Sequence, residues 1–344
     1  MMRVIQADCT RQDSWDRYAA GHGGAAPYHR WAWLEAVRLA YGLAPVALMA
    51  LGGETVLGIL PLVRLKPPGA KAWLISLPYC DFGGPLADDQ AVSQKLVEEA
   101  LAVARSQGAA GVEIRRTDQA GSGPAKVLMR LALPEGSREL LDSFPAKLRS
   151  QVKKPLRDGL RAQLGGEELL EPFYQVLSRN MRDLGSPTHS LGWFQAVARG
   201  YGDRARLTVV FTQDGRPAAA GLTLVEGRTV YVPWASSLRE FNRQNPNMLL
   251  YWTMLARAAD RGLAEFDFGR STPGQGTYNF KRQWGARELP LAWTRQAVAA
   301  DEPRPIQAQP GVAGLRPLAE ACWRRLPLGL ANLAGPRLRR YISL

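Results

Sequence analysis

Two segments of this chain read alike, and the patterns that follow each one are alike too. Residues 33–42 (WLEAVRLAYG) match residues 193–202 (WFQAVARGYG) in length, in the first tryptophan and in the closing Tyr-Gly pair. Each segment is followed by patterns typical of three strands, a helix and a closing strand. One unit written twice predicts two copies of one α/β domain, of which often only one keeps the chemistry.

The two sets of predicted elements run in the same order. After the first segment we predict a hairpin over residues 47–60, a strand over 73–78, a helix over 91–107 and a strand over 111–115. After the second we predict strands over 207–211, 218–225 and 229–234, a helix over 247–261 and a strand over 265–268. Five aromatic residues recur with the repeat, and we interpret them as core: Trp31, Trp33, Tyr41, Trp193 and Tyr201.

Length supports two domains, since the chain has 344 residues and a typical domain has about 100–200. We predict an α/β (α+β) class with two domains, over residues 1–145 and 146–295. Each is expected to hold a mixed, mostly antiparallel sheet flanked by helices. Residues 296–344 then form a proline-rich connector and a basic C-terminal segment.

Composition excludes several classes of protein. The three cysteines are scattered without a CxxC pair, and the three histidines show no ligand spacing, so we predict neither a disulfide framework nor a metal site. No apolar run approaches the roughly 18–20 residues that span a bilayer. The first six residues lack the apolar core of a secretory signal peptide. The scattered cysteines are typical of reduced thiols, which predicts a cytoplasmic protein.

Positive charge is concentrated in two places within a net charge of +13. Residues 147–161 hold six basic residues and one acidic residue, and so do residues 316–344. Arg149, Lys153, Arg157 and Arg161 are four apart, so on a helix they form one stripe. Clustered positive charge favours a phosphate, a nucleic acid or an acidic membrane surface. The alternative is a solvated helix face without a ligand.

The C-terminal segment changes character. Residues 301–310 are proline-rich and predict an extended connector, and residues 315–334 predict a short helix broken at Pro327. A basic, apolar segment either lies on the anionic inner face of a membrane or packs back on the first domain. We favour packing on the first domain, because the segment is short and weakly periodic.

Residues 266–285 form the segment richest in functional residue types. They follow a predicted strand and combine four glycines with the cations Arg270, Lys281 and Arg282. Tyr278 and Phe280 offer aromatic walls. No GxGxxG, GxxxxGK[ST] or GxSxG pattern occurs in the chain, which argues against a dinucleotide fold, a P-loop NTPase and a nucleophile-elbow hydrolase.

Residues 267–271 (DFGRS) and 276–286 (GTYNFKRQWGA) carry a specific resemblance. Supporting motifs are residues 77–86 (LPYCDFGGPL), 180–185 (NMRDLG), 233–242 (PWASSLREFN) and 247–252 (NMLLYW). Together they resemble FemAB-related proteins of the GNAT acyltransferase superfamily, nearest the branch associated with the XrtA/PEP-CTERM exosortase system. The resemblance implies tandem GNAT-like domains and a role in cell-envelope, peptidoglycan or exopolysaccharide biosynthesis.

The resemblance also implies an acyltransferase that joins an activated acyl or aminoacyl group to an amine or sugar acceptor. Its donor is acyl-CoA or aminoacyl-tRNA, and two departures leave this choice unresolved. Residues 236–246 lack the glycine-rich pyrophosphate loop of GNAT enzymes that use CoA. Residues 165–192 are too short for the long helical arm common in Fem transferases, so tRNA is a doubtful partner.

The resemblance implies that Lys281, in the matching Phe-Lys pair, lies at the reaction centre, with Arg270 as a second cation. Asp81 either orients an acceptor amine or shapes a turn. We predict that ten residues bind substrate or phosphate: Arg149, Lys153, Arg157, Arg182, Trp234, Arg239, Arg243, Asn247, Tyr278 and Phe280. Arg182 alternatively pairs with its neighbours.

Three further interpretations complete the sequence-based prediction. Asn247 is expected to cap the helix that follows it. A lone histidine in a loop, His189, is expected to be exposed rather than to act as a base. The competing function is a non-catalytic, membrane-proximal scaffold of an envelope polysaccharide machine with a degenerate transferase fold. An RNA-binding module lacks a supporting aromatic motif.

Overall fold

The structure, a computed structural model, describes residues 2–117, 126–306 and 316–343. The strands are β1 (Met2–Ala7), β2 (Pro45–Gly52), β3 (Thr55–Leu65), β4 (Trp73–Ile75), β5 (Leu86–Ala87), β6 (Gly111–Thr117), β7 (Val127–Ala132), β8 (Arg161–Gly165), β9 (Ala205–Phe211), β10 (Pro217–Glu226), β11 (Thr229–Ser237), β12 (Glu265–Ser271), β13 (Arg287–Ala297) and β14 (Arg304–Pro305). The α-helices are α1 (Gln12–Gly21), α2 (Trp31–Tyr41), α3 (Gln90–Ser106), α4 (Ser137–Ser143), α5 (Ala146–Arg157), α6 (Leu170–Leu184), α7 (Leu191–Tyr201), α8 (Pro246–Asp260), α9 (Gly276–Arg282), α10 (Arg316–Arg324) and α11 (Leu328–Arg339).

The chain divides into two compact units. Unit 1 comprises Met1–Ala125, Pro290–Gln309 and Arg340–Leu344, and unit 2 comprises Lys126–Leu289 and Pro310–Arg339. The sequence placed the division at residue 145, whereas the structure places it at Ala125. The physical reason is strand pairing, because β7 is hydrogen-bonded to β12 of unit 2. Residues 307–310 of the predicted connector lie outside the described residues.

Unit 1 is built on a sheet with the strand order β1-β2-β3-β4-β6-β13. Neighbours are antiparallel except β4 and β6, which are parallel. The short strands β5 and β14 pair with β3 and β13. Helix α3 buries Val92, Leu96, Ala100 and Ala104 at spacings of four residues, which is the apolar stripe that packs a helix on a sheet.

Unit 2 has the strand order β7-β12-β11-β10-β9-β8. Here too one internal pair, β11 and β12, is parallel, and the others are antiparallel. Helices α4 and α5 pack on α8, and α6 packs on β10 and β11. The predicted mixed, mostly antiparallel α/β class is therefore confirmed in both units.

The two copies of the repeat form matching elements. Helices α2 and α7 are both 11 residues long, and each is followed by three strands, a helix and a strand parallel to the third. The first copy has in addition the two-residue strand β5 before its helix α3. Trp33 and Trp193 are fully buried at equivalent helix positions. Trp31, Tyr41 and Tyr201 are buried as well, which confirms the interpretation of this set as core.

The C-terminal segment forms two helices, and the predicted break at Pro327 is confirmed between α10 and α11. Both helices pack on α6 and belong to unit 2, and only residues 340–344 belong to unit 1. The sequence predicted packing on the first domain instead. The difference arises because the small residues Ala331 and Gly335 of α11 fit closely against unit 2, a match that depends on tertiary geometry.

Candidate active site

The parallel strands β11 and β12 of unit 2 diverge after a short region of pairing. Their registered pairs run from Thr229 with Glu265 to Tyr231 with Asp267. Beyond this point β11 stays paired with β10 as far as Ser237, while β12 stays paired with β7 as far as Ser271. The separated edges present backbone donors and acceptors that an extended ligand can bind. The divergence therefore defines a candidate ligand site within unit 2.

A bulge bends β12 at the divergence. The register with β7 shifts between Asp267 and Arg270, and Gly269 adopts a φ of 74°, which favours glycine. The buried Asp267 carboxylate accepts hydrogen bonds from the backbone N–H of Gly269 (2.7 Å) and from Nε of Arg130 (3.0 Å). The Asp-Phe-Gly sequence thus builds the bulge, a role that sequence reasoning missed although the motif was noted.

The guanidinium of Arg130 is fixed in its charged form at this bulge. Burial acts to lower its pKa, but the neighbouring Asp267, Tyr231 and Glu265 raise it overall. Arg130 bonds both Asp267 and Glu265 at 3.0 Å and lies 5.9 Å from the ring centre of Tyr231. The base of the divergence is therefore held by a charge network in which Asp267 is buried and Arg130 and Glu265 are partly exposed.

Lys281 places its ammonium group at the same bulge. It is 7% exposed, and Nζ donates to the backbone carbonyls of Gly269 (3.0 Å) and Arg270 (2.8 Å). These bonds connect α9 to the end of β12. A fixed cation at a carbonyl-lined bend can stabilise negative charge that develops on a substrate oxygen. The structure thus brings the Lys281 ammonium to the backbone of Arg270, whose side chain is half-buried and whose role as a second cation stays a prediction.

The aromatic residues of α9 have two different environments. Tyr278 is buried, donates its hydroxyl to Glu288 and lies beneath the guanidinium of Arg282 at 5.7 Å. Tyr278 thus packs in the core of unit 2, and its contact with substrate stays a prediction. Phe280 is half-buried and packs on Tyr251, with ring centres 5.0 Å apart.

A basic groove lies on α5. Arg149, Lys153 and Arg157 line a groove of about 270 Å³ together with Ala146 and Ser150. Arg149 is held by its bond to the carbonyl of Phe144 (2.6 Å), and the other two cations are exposed. The predicted stripe is thus present as far as Arg157. Its extension to Arg161 is wrong, because the helix ends at Arg157 and Arg161 begins β8.

Arg239 and Arg243 lie exposed on a single 3-10 segment, Arg239–Gln244, between β11 and α8. Helix α8 then begins at Pro246, so the prediction that Asn247 caps it is wrong. Proline is favoured at the first helical position because its missing N–H is not needed there. Asn247 occupies the first turn, where free backbone N–H groups favour anions.

Three other predicted residues contact the C-terminal helices or an aromatic cluster. Arg182 bonds Asp183 (2.7 Å) and the carbonyl of Leu326 (3.2 Å), so it fastens the C-terminal segment. Trp234 packs edge-on against Phe194, with ring centres 5.1 Å apart. The expectation that His189 is exposed is wrong, because it is 3% exposed and stacked on Trp193. Burial lowers the pKa of His189 well below 6.5, with a further contribution from Arg339.

In unit 1 the equivalent strands, β4 and β6, are bridged by the chain itself. Ser76 and Gly83 donate backbone N–H groups to the carbonyls of Glu113 (2.8 Å) and Arg115 (3.2 Å). Asp81 belongs to this loop, and its backbone carbonyl accepts from the indole of Trp293 (2.9 Å). The backbone of Asp81 therefore takes part in the loop structure, and the role of its carboxylate stays a prediction. The divergence in unit 2 is the stronger candidate site.

Sequence reasoning missed the buried charges of unit 1. Arg115 is 1% exposed and pairs with Glu113 at 2.7 Å, and Arg295 bonds the other oxygen of Glu113 at 2.8 Å. The sequence Glu-Ile-Arg places the side chains of Glu113 and Arg115 on the same face of β6. This pattern identifies a buried ion pair only when that face of the sheet is known to be covered. Within residues 2–117, 126–306 and 316–343 we find no group of three or more potential metal ligands and no helix suited to crossing a membrane.

Comparison with known proteins relates these features to an enzyme superfamily. A family model described as an acetyltransferase (GNAT) domain matches residues 143–282, which include β11, β12 and Lys281. UDP-N-acetylmuramoylpentapeptide-lysine N(6)-alanyltransferase from Weissella viridescens is 23% identical over 103 residues. That match spans 30% of this chain and 31% of the alanyltransferase.

Solved structures show the same fold over most of the chain. A crystal structure of FemX is 15% identical, with a TM-score of 0.66, over 84% of this chain and 95% of FemX. A tandem GNAT protein from the clavulanic acid biosynthesis pathway is 13% identical, with a TM-score of 0.54, over 88% of this chain and 100% of that protein. Both likenesses concern the fold.

Proposed function

We propose that this chain is a FemAB-related protein of the GNAT superfamily. As such it transfers an acyl or aminoacyl group to an amine or sugar acceptor in cell-envelope or exopolysaccharide biosynthesis. The observation that carries the proposal is the divergence of β11 and β12 with Lys281 fixed beside it. The alanyltransferase similarity supports an aminoacyl donor and a peptidoglycan precursor as acceptor. Association with the XrtA/PEP-CTERM system belongs to the same proposal.

The chemistry of acyl transfer explains why this geometry is suitable. When an amine attacks the activated carbonyl, the carbonyl oxygen gains negative charge. A preorganised cation or donor aimed at that oxygen contributes about 3–4 kcal/mol, or about 10²–10³ in rate. Lys281 supplies a charge that the carbonyls of Gly269 and Arg270 hold in place. Arg270 is proposed as the second cation.

A phosphate-bearing donor suits the positive charge of unit 2. Arg239 and Arg243 precede the start of α8, where Asn247 contributes to a helix N-terminus. The GNAT match supports acyl-CoA, and the alanyltransferase match supports aminoacyl-tRNA. Helix α6 has 15 residues, so residues 165–192 form no long helical arm of the kind that would bind tRNA.

A peripheral location at the inner face of the membrane is also part of the proposal.

Assays with both donor classes test the proposed function. The purified chain would be incubated with acyl-CoAs or aminoacyl-tRNAs together with peptidoglycan precursors or amino sugars. We expect a mass increase of the acceptor equal to the transferred group, and thermal stabilisation by the competent donor. Absence of both effects across the two donor classes would contradict the transferase and favour the scaffold.

The groove on α5 gives a prediction about donor affinity. We expect the Arg149→Gln/Lys153→Gln/Arg157→Gln variant to bind the donor about tenfold more weakly or worse, since exposed ion pairs contribute up to about 1 kcal/mol each. The dependence of affinity on salt should fall at the same time, because fewer charges remain to be screened. Fluorescence titration between low and high salt measures both quantities.

A matched variant separates the groove from net charge. Arg138→Gln/Lys147→Gln/Arg161→Gln removes the same charge from exposed positions that do not line the groove. We expect this control to keep most of the donor affinity. Equal losses in both triple variants would mean that the α5 groove acts only through the overall field of the protein.

A further inference from the structure

The outer surface of α10 and α11 is unusually rich in exposed leucine. Eight large hydrophobic side chains are exposed in the described part of the chain, and four of them lie on these two helices. They are Leu318 (64%), Leu330 (54%), Leu333 (60%) and Leu338 (46%). Isolated exposed leucines are ordinary, but a group on one pair of helices marks an interaction surface.

The helices are held so that these leucines remain outside. On the inner side of α11, Gly335 lies so close to Thr188 that a Cβ atom there would be 3.2 Å from the Thr188 backbone nitrogen. Arg339 donates from Nε to Nε2 of the buried His189 at 3.1 Å. Arg182 fastens the turn between the helices through the carbonyl of Leu326. These contacts orient the pair with its leucines facing solvent.

Exposed arginines lie on α11 and directly after α10. Arg325 and Arg337 are exposed, whereas Arg324 donates to the carbonyl of Leu184 (3.4 Å) and pairs with Glu320 (3.4 Å), the only acidic residue of the two helices. On α11, Leu330, Leu333 and Arg337 follow the i, i+3, i+7 spacing of one helix face. We call Leu330, Leu333 and Arg337 the leucine–arginine face.

We propose that the leucine–arginine face docks unit 2 onto an anionic phospholipid bilayer. Leucines that enter the boundary between headgroups and acyl chains lose contact with water, while arginines bind lipid phosphates. Charge complementarity selects this occupant over a second copy of the chain, because pairing two such faces brings like charges together. The helices lie in the interface rather than crossing it. This inference rests on the proposed peripheral location at the membrane and is tested independently of transferase activity.

Vesicle flotation tests the proposal with the full-length protein. We expect stronger binding to vesicles of phosphatidylglycerol and phosphatidylcholine than to phosphatidylcholine alone, and weaker binding at high salt. Leu330→Ser/Leu333→Ser should lower binding to the anionic vesicles at least about tenfold, since each leucine that enters the interface contributes apolar burial. Both side chains are exposed, so the variant should fold normally.

Two controls make the result specific. Leu39→Ser/Leu156→Ser removes two equally exposed leucines from α2 and α5, and it should bind vesicles like the wild type. Sedimentation velocity on the same proteins reports self-association. The proposal is overturned if the control loses as much vesicle binding as Leu330→Ser/Leu333→Ser, if pure phosphatidylcholine binds equally well, or if the α11 variant abolishes a dimer while vesicle binding is unchanged.

Discussion

We expect the Lys281→Met variant to lower kcat at least about 100-fold with a competent donor and acceptor. Lys281 is buried, and its ammonium group is held by the carbonyls of Gly269 and Arg270 at the bulge of β12. If this charge stabilises the oxyanion of acyl transfer, its loss removes about 3–4 kcal/mol from the transition state. Steady-state kinetics should show kcat and kcat/KM falling together, as for an interaction made only in the transition state.

A structural contribution of Lys281 must be separated from a catalytic one. Methionine leaves two carbonyl groups without this donor, which costs about 1–3 kcal/mol of folding stability if they stay buried. The denaturation midpoint and the circular dichroism spectrum report that loss. Arg282→Met is the matched control, since it removes the exposed neighbouring cation that lies over Tyr278. A folded Lys281→Met variant with near-normal kcat would exclude Lys281 from the mechanism.

The Arg115→Met variant should lower the free energy of unfolding by about 3–5 kcal/mol. Removing one partner of a buried ion pair is strongly destabilising. Without Arg115, the buried Glu113 keeps only the partly exposed Arg295 as its cation. Arg115 bonds Glu113 and also donates to the carbonyls of Leu77 and Cys80, each at 3.1 Å. Its guanidinium lies 4.9 Å from the ring centre of Trp293. Urea denaturation followed by far-UV circular dichroism measures the loss.

The neighbouring residue provides a control of the same chemistry. Arg116 is exposed and bonds Ser93 at 3.2 Å, so Arg116→Met should change stability by no more than about 0.5 kcal/mol. Leu77 and Tyr79 both hold a left-handed φ of 69°, which is strained for residues with a Cβ. Proteolysis should therefore cut this loop faster in Arg115→Met than in Arg116→Met. Equal stability of the two variants would show that Arg115 is not required to hold the loop.

Much of the fold is encoded by local patterns in the sequence. The matching segments around Trp33 and Trp193 predict two units of the same element order, because apolar residues at helical spacing must face a core. Pro327 predicts the break between α10 and α11, since proline lacks the N–H that a continuing helix needs. The basic stripe of α5 was predictable as far as Arg157. All these features depend on residues close together in the chain.

Other expectations failed where distant residues meet. His189 was expected to be exposed, but α7 and the C-terminal Arg339 enclose it. The C-terminal helices were expected on the first domain, but they pack on α6. The helix was expected to be capped by Asn247, but it begins at Pro246, so Asn247 lies inside its first turn. Burial depends on the neighbours that the fold supplies, and a loop or tail sequence carries little information about them.

The sequence by itself determined the duplication, the α/β class and the presence of a glycine-rich segment with Lys281 after a strand. Only the tertiary structure decided that β11 and β12 diverge, that Asp267 shapes the bulge, and that two carbonyls of β12 hold the Lys281 ammonium. The physical reason is the range of the forces involved. Periodicity and turn chemistry act over a few residues, whereas a buried charge is fixed by partners that folding brings from distant parts of the chain.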